Sequence, residues 1–381
     1  MIARWMPLRR SHMAVTLLGC GLILAAARGI AGDKDGFDPL SQPVAAPLSV
    51  MTYNVEGLPW PARINRRASL VHMANRLRAL RAAGRQPHIV LLQEVFSDDA
   101  RAMARSAGYA FMTFGPSADA PGDTRHDIVD SGSDPDRLRG EGIGKLLDSG
   151  LVILSDYPIG HVRSLTFGEA CAGFDCLANK AAMAAEVELP GSDGPVTIVN
   201  LHLNARKASG VAIARANAAF ARQARALGRF LEALDRAHPL IVAGDFNIGR
   251  SKKRQALIAK ALHSRASGPP AEALSRCVAA AHSCPGGSMN DAIAANLRGK
   301  DRQFLLAGAH SRLALRAVSV PFGHEPDGMM LSDHVGYVGH FDVIAYDAAM
   351  PLKNRNGYHV KLAGVDPMDQ DDENRSAVTR S

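Results

Sequence analysis

Seven short runs of strand-forming residues, interleaved with segments of helical spacing, constrain the fold of this chain more than any other feature. The runs are Leu48 to Val55, His88 to Val95, Leu151 to Tyr157, Ala181 to Leu189, Thr197 to Leu203, Leu240 to Phe246 and Val335 to Tyr346. Between the first two, Leu70, Met73, Leu77 and Leu80 recur at helical spacing and Gly84 supplies a stop; the Ala- and Arg-rich stretch from Ala208 to Ala237 is the second clear helix. Strands and helices mixed in this way, with several strands close enough for hairpins, imply a layered α/β sandwich over a mixed sheet. At 381 residues, 47% hydrophobic and 21% charged, the chain can bury such a core and is neither disordered nor fibrous.

The two ends read differently. Arg4, Arg9 and Arg10 precede an apolar run from Met13 to Ala27, and Gly29-Ile30-Ala31 places small residues where a signal peptidase cleaves. Residues 1–31 are therefore expected to be an export signal, 32–47, with Pro39, Pro43 and Pro47, a linker, and 348–381 a polar, frayed tail around one domain at 48–347. An uncleaved anchor is the alternative, although the run of about fifteen residues falls short of the roughly twenty a span needs. A lipid-modified Cys20 is a further one. Without the signal the chain has 40 Lys and Arg against 37 Asp and Glu, a balance of +3, too small to argue for nucleic acid by itself.

Export removes Cys20 and leaves Cys171, Cys176, Cys277 and Cys284, which suit an oxidising compartment. Of the three possible connectivities the two local pairs, Cys171 with Cys176 and Cys277 with Cys284, are expected; the rival is a zinc site of Cys277, His282 and Cys284. Gly115 to Lys145 lacks either periodicity and reads as a long surface loop. Within it Gly140-Glu141-Gly142-Ile143-Gly144-Lys145 resembles a phosphate cradle, but no strand precedes it and no Ser or Thr follows, so it is expected to be ordinary loop.

The chemistry-bearing residues lie at strand ends. Met51-Thr52-Tyr53-Asn54-Val55 ends an apolar run in an amide, and Leu91-Leu92-Gln93-Glu94-Val95 ends one in a carboxylate, the hard oxygen donor that Mg²⁺ prefers. Asn200-Leu201-His202-Leu203-Asn204 and Ala243-Gly244-Asp245-Phe246-Asn247 carry polar residues at i and i+2, one face of a strand. Leu331-Ser332-Asp333-His334 precedes the last run and supplies the side chain best suited to take a proton near neutral pH. Each motif alone has a plain reading as a turn amide, a rim charge or a core histidine.

Taken in this order and at these separations, the motifs resemble the set of the endonuclease/exonuclease/phosphatase superfamily over about three hundred residues. The resemblance implies a four-layered α/β sandwich, two packed mixed β-sheets flanked by helices, and metal-dependent hydrolysis of a phosphodiester by in-line attack of water. It makes Glu94 the principal Mg²⁺ ligand, with Mn²⁺ the alternative ion and Asn54 close to the metal or its water. Asp245 and Asn247 would orient the attacking water and the phosphate, His334 would be the general base, and His202 would contact the phosphate or leaving group. Asp301, in Lys300-Asp301-Arg302, would orient His334, and Asp333 belongs to the catalytic set through its motif.

Within the superfamily, Asp148 to Ser155, Tyr157-Pro158-Ile159 and Lys180 look most similar to the neutral and bacterial sphingomyelinases, which implies a lipid headgroup at a membrane surface as substrate and no protein partner. Asn204-Ala205 and an aromatic content of 5% depart from that branch. Met329, Met330 and Phe322 are candidates for touching lipid, with core packing as the other reading. A secreted nuclease similar to pancreatic deoxyribonuclease would use Arg206, Lys207, Arg250, Lys252, Lys253 and Arg254 as a basic groove. A binding module that kept the fold and lost the chemistry is the third reading, opposed by the completeness of the motif set.

Overall fold

Alternation along the strands decides which side chains meet between layers and which meet the helices. The structure, a computed structural model, describes residues 45–123, 134–265, 270–279 and 289–346. In chain order its elements are β1 (Ala45–Asn54), α1 (Arg66–Ala82), β2 (Ile89–Gln93), α2 (Asp98–Ser106), β3 (Phe111–Phe114), β4 (Val152–Ser155), β5 (Ile159–Thr166), β6 (Ala181–Val187), β7 (Val196–His202) and α3 (Ile213–Glu232). There follow β8 (Leu240–Asp245), α4 (Lys252–His263), β9 (Ala271–Glu272), α5 (Ala273–Ala279), α6 (Met289–Arg298), β10 (Asp301–Leu306), β11 (Ser311–Phe322) and β12 (Gly336–Ala345).

The strands form two mixed six-stranded sheets, ordered β11-β12-β1-β2-β4-β3 and β5-β6-β7-β8-β10-β9. Each sheet has one parallel pair at its centre, β1 with β2 and β7 with β8, flanked by antiparallel neighbours. Leu48 and Val50 of β1, Ile89 and Leu91 of β2, Val196 and Ile198 of β7 and Ile241 and Ala243 of β8 belong to one core between the sheets. The intervening Met51, Tyr53, Val90 and Leu92 pack with Leu70, Met73 and Leu77 of α1, while Val199, Leu201 and Val242 pack with Phe220, Leu227 and Leu231 of α3. The result is the four-layered sandwich, helices outside and two sheets within. Each fully buried Leu or Ile in these cores contributes about 1.5–3 kcal/mol.

All seven expected runs contain strands. β1 starts at Ala45, and Ala46 and Pro47, expected in the linker, pair with Val343 and Asp342 of β12. The expected signal, the rest of the linker and the tail lie outside the described residues. The second helix is shorter than its composition suggests, because Gly210 takes φ 75° in a turn beside Phe174 and helical backbone begins only at Ile213. In the segment Gly115 to Lys145, the described residues hold only a 3₁₀ turn, Arg137–Arg139, apart from an isolated bridge at the following Leu147. The cradle-like stretch in it is ordinary loop: the Glu141 carboxylate is buried on the Gly173 and Asp136 amides, and Lys145 Nζ lies 3.4 Å from Cys171 Sγ. Cys171 and Cys176 are disulfide-bonded, Cys277 is disulfide-bonded as well, and Cys284 and His282 lie outside the described residues.

Candidate active site

The face of each strand that builds the inter-sheet core turns polar at one end. Thr52, Gln93, Asn200 and Gln303 continue the rows of Val50, Leu91, Ile198 and Leu305 on that face, and all four are buried. Gln93 Nε2 donates to Asn200 Oδ1 (2.7 Å), and Asn200 Nδ2 donates to the Leu92 and Val152 carbonyls (2.9 and 3.0 Å). Asn200, half of an expected converging pair, therefore ties the sheets together beneath the site. Beyond this layer stand Asn54, His202, Asp245 and Asp301, at the ends of β1, β7 and β8 and the start of β10.

Register explains their convergence. His202 pairs with Asp245 across the parallel β7–β8 ladder, and Asp245 pairs with Asp301 across the antiparallel β8–β10 ladder. His202 Nε2 lies 3.5 Å and His334 Nε2 3.8 Å from Asp245 Oδ2. His334 Nδ1 stands 2.8 and 3.0 Å from the two Asp301 oxygens, which fixes a proton on that nitrogen and leaves Nε2 facing the site. From the other sheet, Asn54 Nδ2 donates to Glu94 Oε1 (2.8 Å) and Asp245 Oδ2 (3.2 Å).

Glu94 reaches this point by a backbone device. Gln93 faces the inter-sheet layer, so a regular strand would turn Glu94 toward α1 and α2; its φ of 59° breaks the alternation. Asn247 does likewise: β8 ends at Asp245, and Asn247 at φ 50° donates from its own N–H to Asp245 Oδ1 and from Nδ2 to the Leu203 carbonyl. Each left-handed residue costs about 1–3 kcal/mol, strain of the kind that gathers at sites. Arg254 holds the second in place. Its fully buried guanidinium donates to the Asn247 and Asn204 carbonyls (both 2.8 Å), to Asn217 Oδ1 (2.8 Å) and to the Ala216 carbonyl, and lies over the Phe220 ring at 4.2 Å. It is thus no part of a surface groove; Arg206, Lys207, Arg250, Lys252 and Lys253 are exposed.

Two ammonium groups border the cluster. Lys180 Nζ is 2.9 Å from His202 Nε2 and 2.8 Å from Asp175 Oδ1; Lys300 Nζ is 3.1 Å from His334 Nε2. Asp333 stays at the rim with its side chain 51% exposed and Oδ1 3.7 Å from His334 Nε2. Asn204 serves the scaffold, its Oδ1 accepting from the Ala172 amide at 2.9 Å. Phe322 stacks on Tyr53 in the core at 4.8 Å, so of the three lipid candidates only Met329 is prominently exposed, at 68%.

Electrostatics follow from this crowding. Burial opposes charge on His334, but Asp301 and Asp245 outweigh it and push the imidazole up to about 9. Burial also works against the Asp245 carboxylate, yet His334, His202, Lys300 and Lys180 bring it down to about 2. Burial raises Asp301 against the pull of His334, and raises Glu94 against the Asn54 hydrogen bond. Burial and then Lys180 hold His202 well below its ordinary value, so that ring is neutral at physiological pH.

The donor set fits a hard divalent cation. Glu94, His202 and Asp245 each offer a ligand atom within 4.8 Å of the others, as do Asp245, Asp301 and His334. Glu94 and Asp245, one from each sheet, turn carboxylate oxygens to the same Asn54 amide, and such oxygens are the hard donors this cation prefers. Asn54 Oδ1 accepts from the Glu56 amide (3.0 Å) and keeps a second lone pair.

Sequence reasoning did not place Lys300, Asp175 or Arg254 in the site. For Arg254 a signal existed: it shares the buried face of α4 with Ile258, Ala261 and Leu262 at helical spacing.

In fold the chain is similar to sphingomyelinase C from Streptomyces griseocarneus, at TM-score 0.50 and 19% identity over 77% of this chain and 99% of that one. It is similar to a mutant beta toxin from Staphylococcus aureus with bound magnesium ions, at 0.50 and 14% over 78% and 99%. A humanized D. rerio TDP2 matches at 0.50 and 15% over 77% and 98%. No curated protein matches the chain in sequence. The Endonuclease/Exonuclease/phosphatase family matches residues 51–334, a span that runs from β1 to His334 and takes in every residue of the cluster. On that match, with the sandwich and the acid–imidazole cluster it carries, the chain belongs to the Endonuclease/Exonuclease/phosphatase family.

Proposed function

We propose that this protein is an exported, Mg²⁺-dependent phosphodiesterase whose substrate is sphingomyelin, from which it releases phosphocholine. The observation that carries the hydrolytic reading is the Asp301–His334 pair with Nε2 turned to Asp245, and Glu94 joined to Asp245 through Asn54. Glu94 and Asp245, with Asn54 beside them, would hold the ion. Mg²⁺ or Mn²⁺ held by these residues would supply positive charge to the phosphoryl group and would offset the carboxylate charge that raises His334.

The chain's own groups then act in line. His334 Nε2 takes a proton from the water that attacks phosphorus, and Asp301 stabilises the imidazolium that forms. Asp245 and Asn247 orient water and phosphate, and Asp333 at the rim faces the same ring nitrogen. As the bond from phosphorus to the ceramide oxygen breaks, that oxygen takes a proton from the Lys180 ammonium, which the neutral His202 ring holds at the site.

The lipid reading is supported by the sequence resemblance and by apolar side chains near the site. Trp60 (80% exposed) and Ile64 lie on the loop leaving Asn54, and Met329 lies on the loop leading to His334. Arg66 joins these loops by donating to the Val55 and Leu331 carbonyls. Such a rim suits an interface with lipid. The second reading, a secreted nuclease, is favoured by the exposed Arg206, Lys207, Arg250, Lys252 and Lys253 and weakened by the burial of Arg254.

Phosphocholine release from sphingomyelin vesicles, with Mg²⁺ and with chelator, run beside plasmid nicking in the same buffers, separates the readings. Metal-dependent release without nicking is the expected result. Nicking without release selects the nuclease, and silence in both assays rejects both substrates.

A further inference from the structure

Lys300 occupies a position that the fold has built. It immediately precedes β10, and its carbonyl accepts from the Phe246 amide (2.9 Å), while the Gly249 amide donates to the carbonyl of Gly299 (3.0 Å). Two backbone bonds thus fix the loop carrying Lys300 to the loop carrying Asn247. On the other side Arg298 Nη1 donates to the Asp333 carbonyl (2.8 Å), which ties the same segment to the His334 motif. The Lys300 side chain, with access to solvent, instead turns inward and sets Nζ 3.1 Å from His334 Nε2. The nearest paired carboxylate, Asp333, is 3.9 Å from Nζ, beyond a hydrogen bond, so among the described residues no acid takes a hydrogen bond from the ammonium.

An ammonium beside an imidazole is favourable only when the facing nitrogen is unprotonated and accepts. Asp301 already takes the proton on Nδ1, so the Lys300 ammonium is set against the one ring nitrogen left to accept and opposes a second proton there. It also stands where the attacking water and the phosphoryl group must arrive, because the atom it touches is the one the water must reach. In-line attack places the leaving oxygen opposite the water. A cation on the water's side therefore meets a non-bridging oxygen and not the leaving group.

On the hydrolytic reading above, we propose that Lys300 is a catalytic residue: on substrate binding its ammonium leaves His334 Nε2 and donates to a non-bridging phosphoryl oxygen. This frees the ring nitrogen for the water's proton and stabilises the charge that gathers on the phosphoryl oxygens. Lys300 neither gains nor loses a proton in the step.

The test compares wild type, K300R and K300M with Mg²⁺ on aryl methyl phosphate diesters whose leaving groups run from p-nitrophenol to phenol, and titrates each protein calorimetrically with inorganic phosphate. A charge-assisted hydrogen bond made in the transition state predicts that K300M loses roughly 10- to 150-fold in kcat, by the same factor for every leaving group. K300R should recover part of it, phosphate should bind K300M more weakly, and the thermal midpoint should be unchanged. A kcat within about threefold of wild type overturns the proposal. So does a loss that grows with leaving-group pKa, since it would put the ammonium on the departing oxygen. If K300M does not fold, K300Q carries the same comparison. Wild type silent on every diester would reject the phosphodiesterase reading instead, and the phosphate titration would then decide on Lys300 alone: equal affinity in wild type and K300M overturns it.

Discussion

Replacing Asp301 by Asn isolates the orienting carboxylate from the rest of the site. The substitution is nearly isosteric, and Asp301 lies buried in register with Asp245, so the β8–β10 ladder should be undisturbed. What changes is charge and the donor pattern. In the native pair, two carboxylate oxygens at 2.8 and 3.0 Å face one N–H of His334. An amide oxygen can still accept that proton but brings no charge to the imidazolium, and an amide NH₂ turned to Nδ1 would drive the proton onto Nε2. Loss of one charge-assisted bond, about 1.5–3 kcal/mol, corresponds to roughly 10- to 150-fold in kcat. The sign of the pH effect is fixed as well. Asp301 raises His334, and a general base must be unprotonated, so in D301N the acid limb of kcat/KM moves to lower pH. Steady-state hydrolysis of bis(p-nitrophenyl) phosphate with Mg²⁺ across the pH range, alongside a thermal melt, measures both. A folded D301N with kcat within about threefold of wild type and an unmoved acid limb would refute the orienting role.

Three further outcomes are expected. Glu94→Ala should weaken Mg²⁺ binding by at least about tenfold in calorimetric titration, whereas His334→Ala should bind Mg²⁺ nearly as wild type and lose turnover. Arg254→Met should lower stability by about 2–4 kcal/mol in urea, since it strands the buried Asn204 and Asn247 carbonyls; Arg254→Lys, with fewer and differently aimed donors, should recover only part of this, and full stability in R254M would discount the tie. Glu141 is lowered from its ordinary 4.5 because, against the cost of burial, Arg215 and the Asp136 and Gly173 amides favour the carboxylate. A depressed carboxyl stabilises the fold above its unfolded value and loses that contribution as pH falls through the folded one, so wild type and Glu141→Gln should differ by about 1–3 kcal/mol near pH 7 and converge in acid, as read by urea melts at each pH.

Much of this was legible in the sequence because the decisive residues sit at the ends of apolar runs. Asn54, His202 and Asp245 close strands whose earlier residues on the same face fill the inter-sheet core, so hydrophobic pattern and site share one signal. Period two failed where the backbone leaves the strand. Glu94 and Asn247 reach the site through left-handed φ, and Asn200, on the correct face, sits one layer too deep. β11 was silent for another reason: an edge strand reading Ser-Arg-Leu-Ala-Leu-Arg-Ala has neither clean alternation nor a fully buried face, and only its pairing with β12 decides it. Lys300 and Arg254 were invisible as functional groups because one lysine beside an aspartate, or one arginine in a basic stretch, looks like a solvated surface until the fold turns it inward.

The bond from Asn54 to Asp245 spans 191 residues and joins the two sheets. Neither sheet owns the site: one brings Asn54 with Glu94, the other His202, Asp245 and Asp301, and His334 arrives just ahead of the first sheet's β12. Contacts so distant along the chain form late, after the loop-closure entropy of the intervening segments has been met. Enzymatic competence is therefore a property of the docked pair of sheets, and during refolding the return of activity can follow, but never precede, the closing of the core between them.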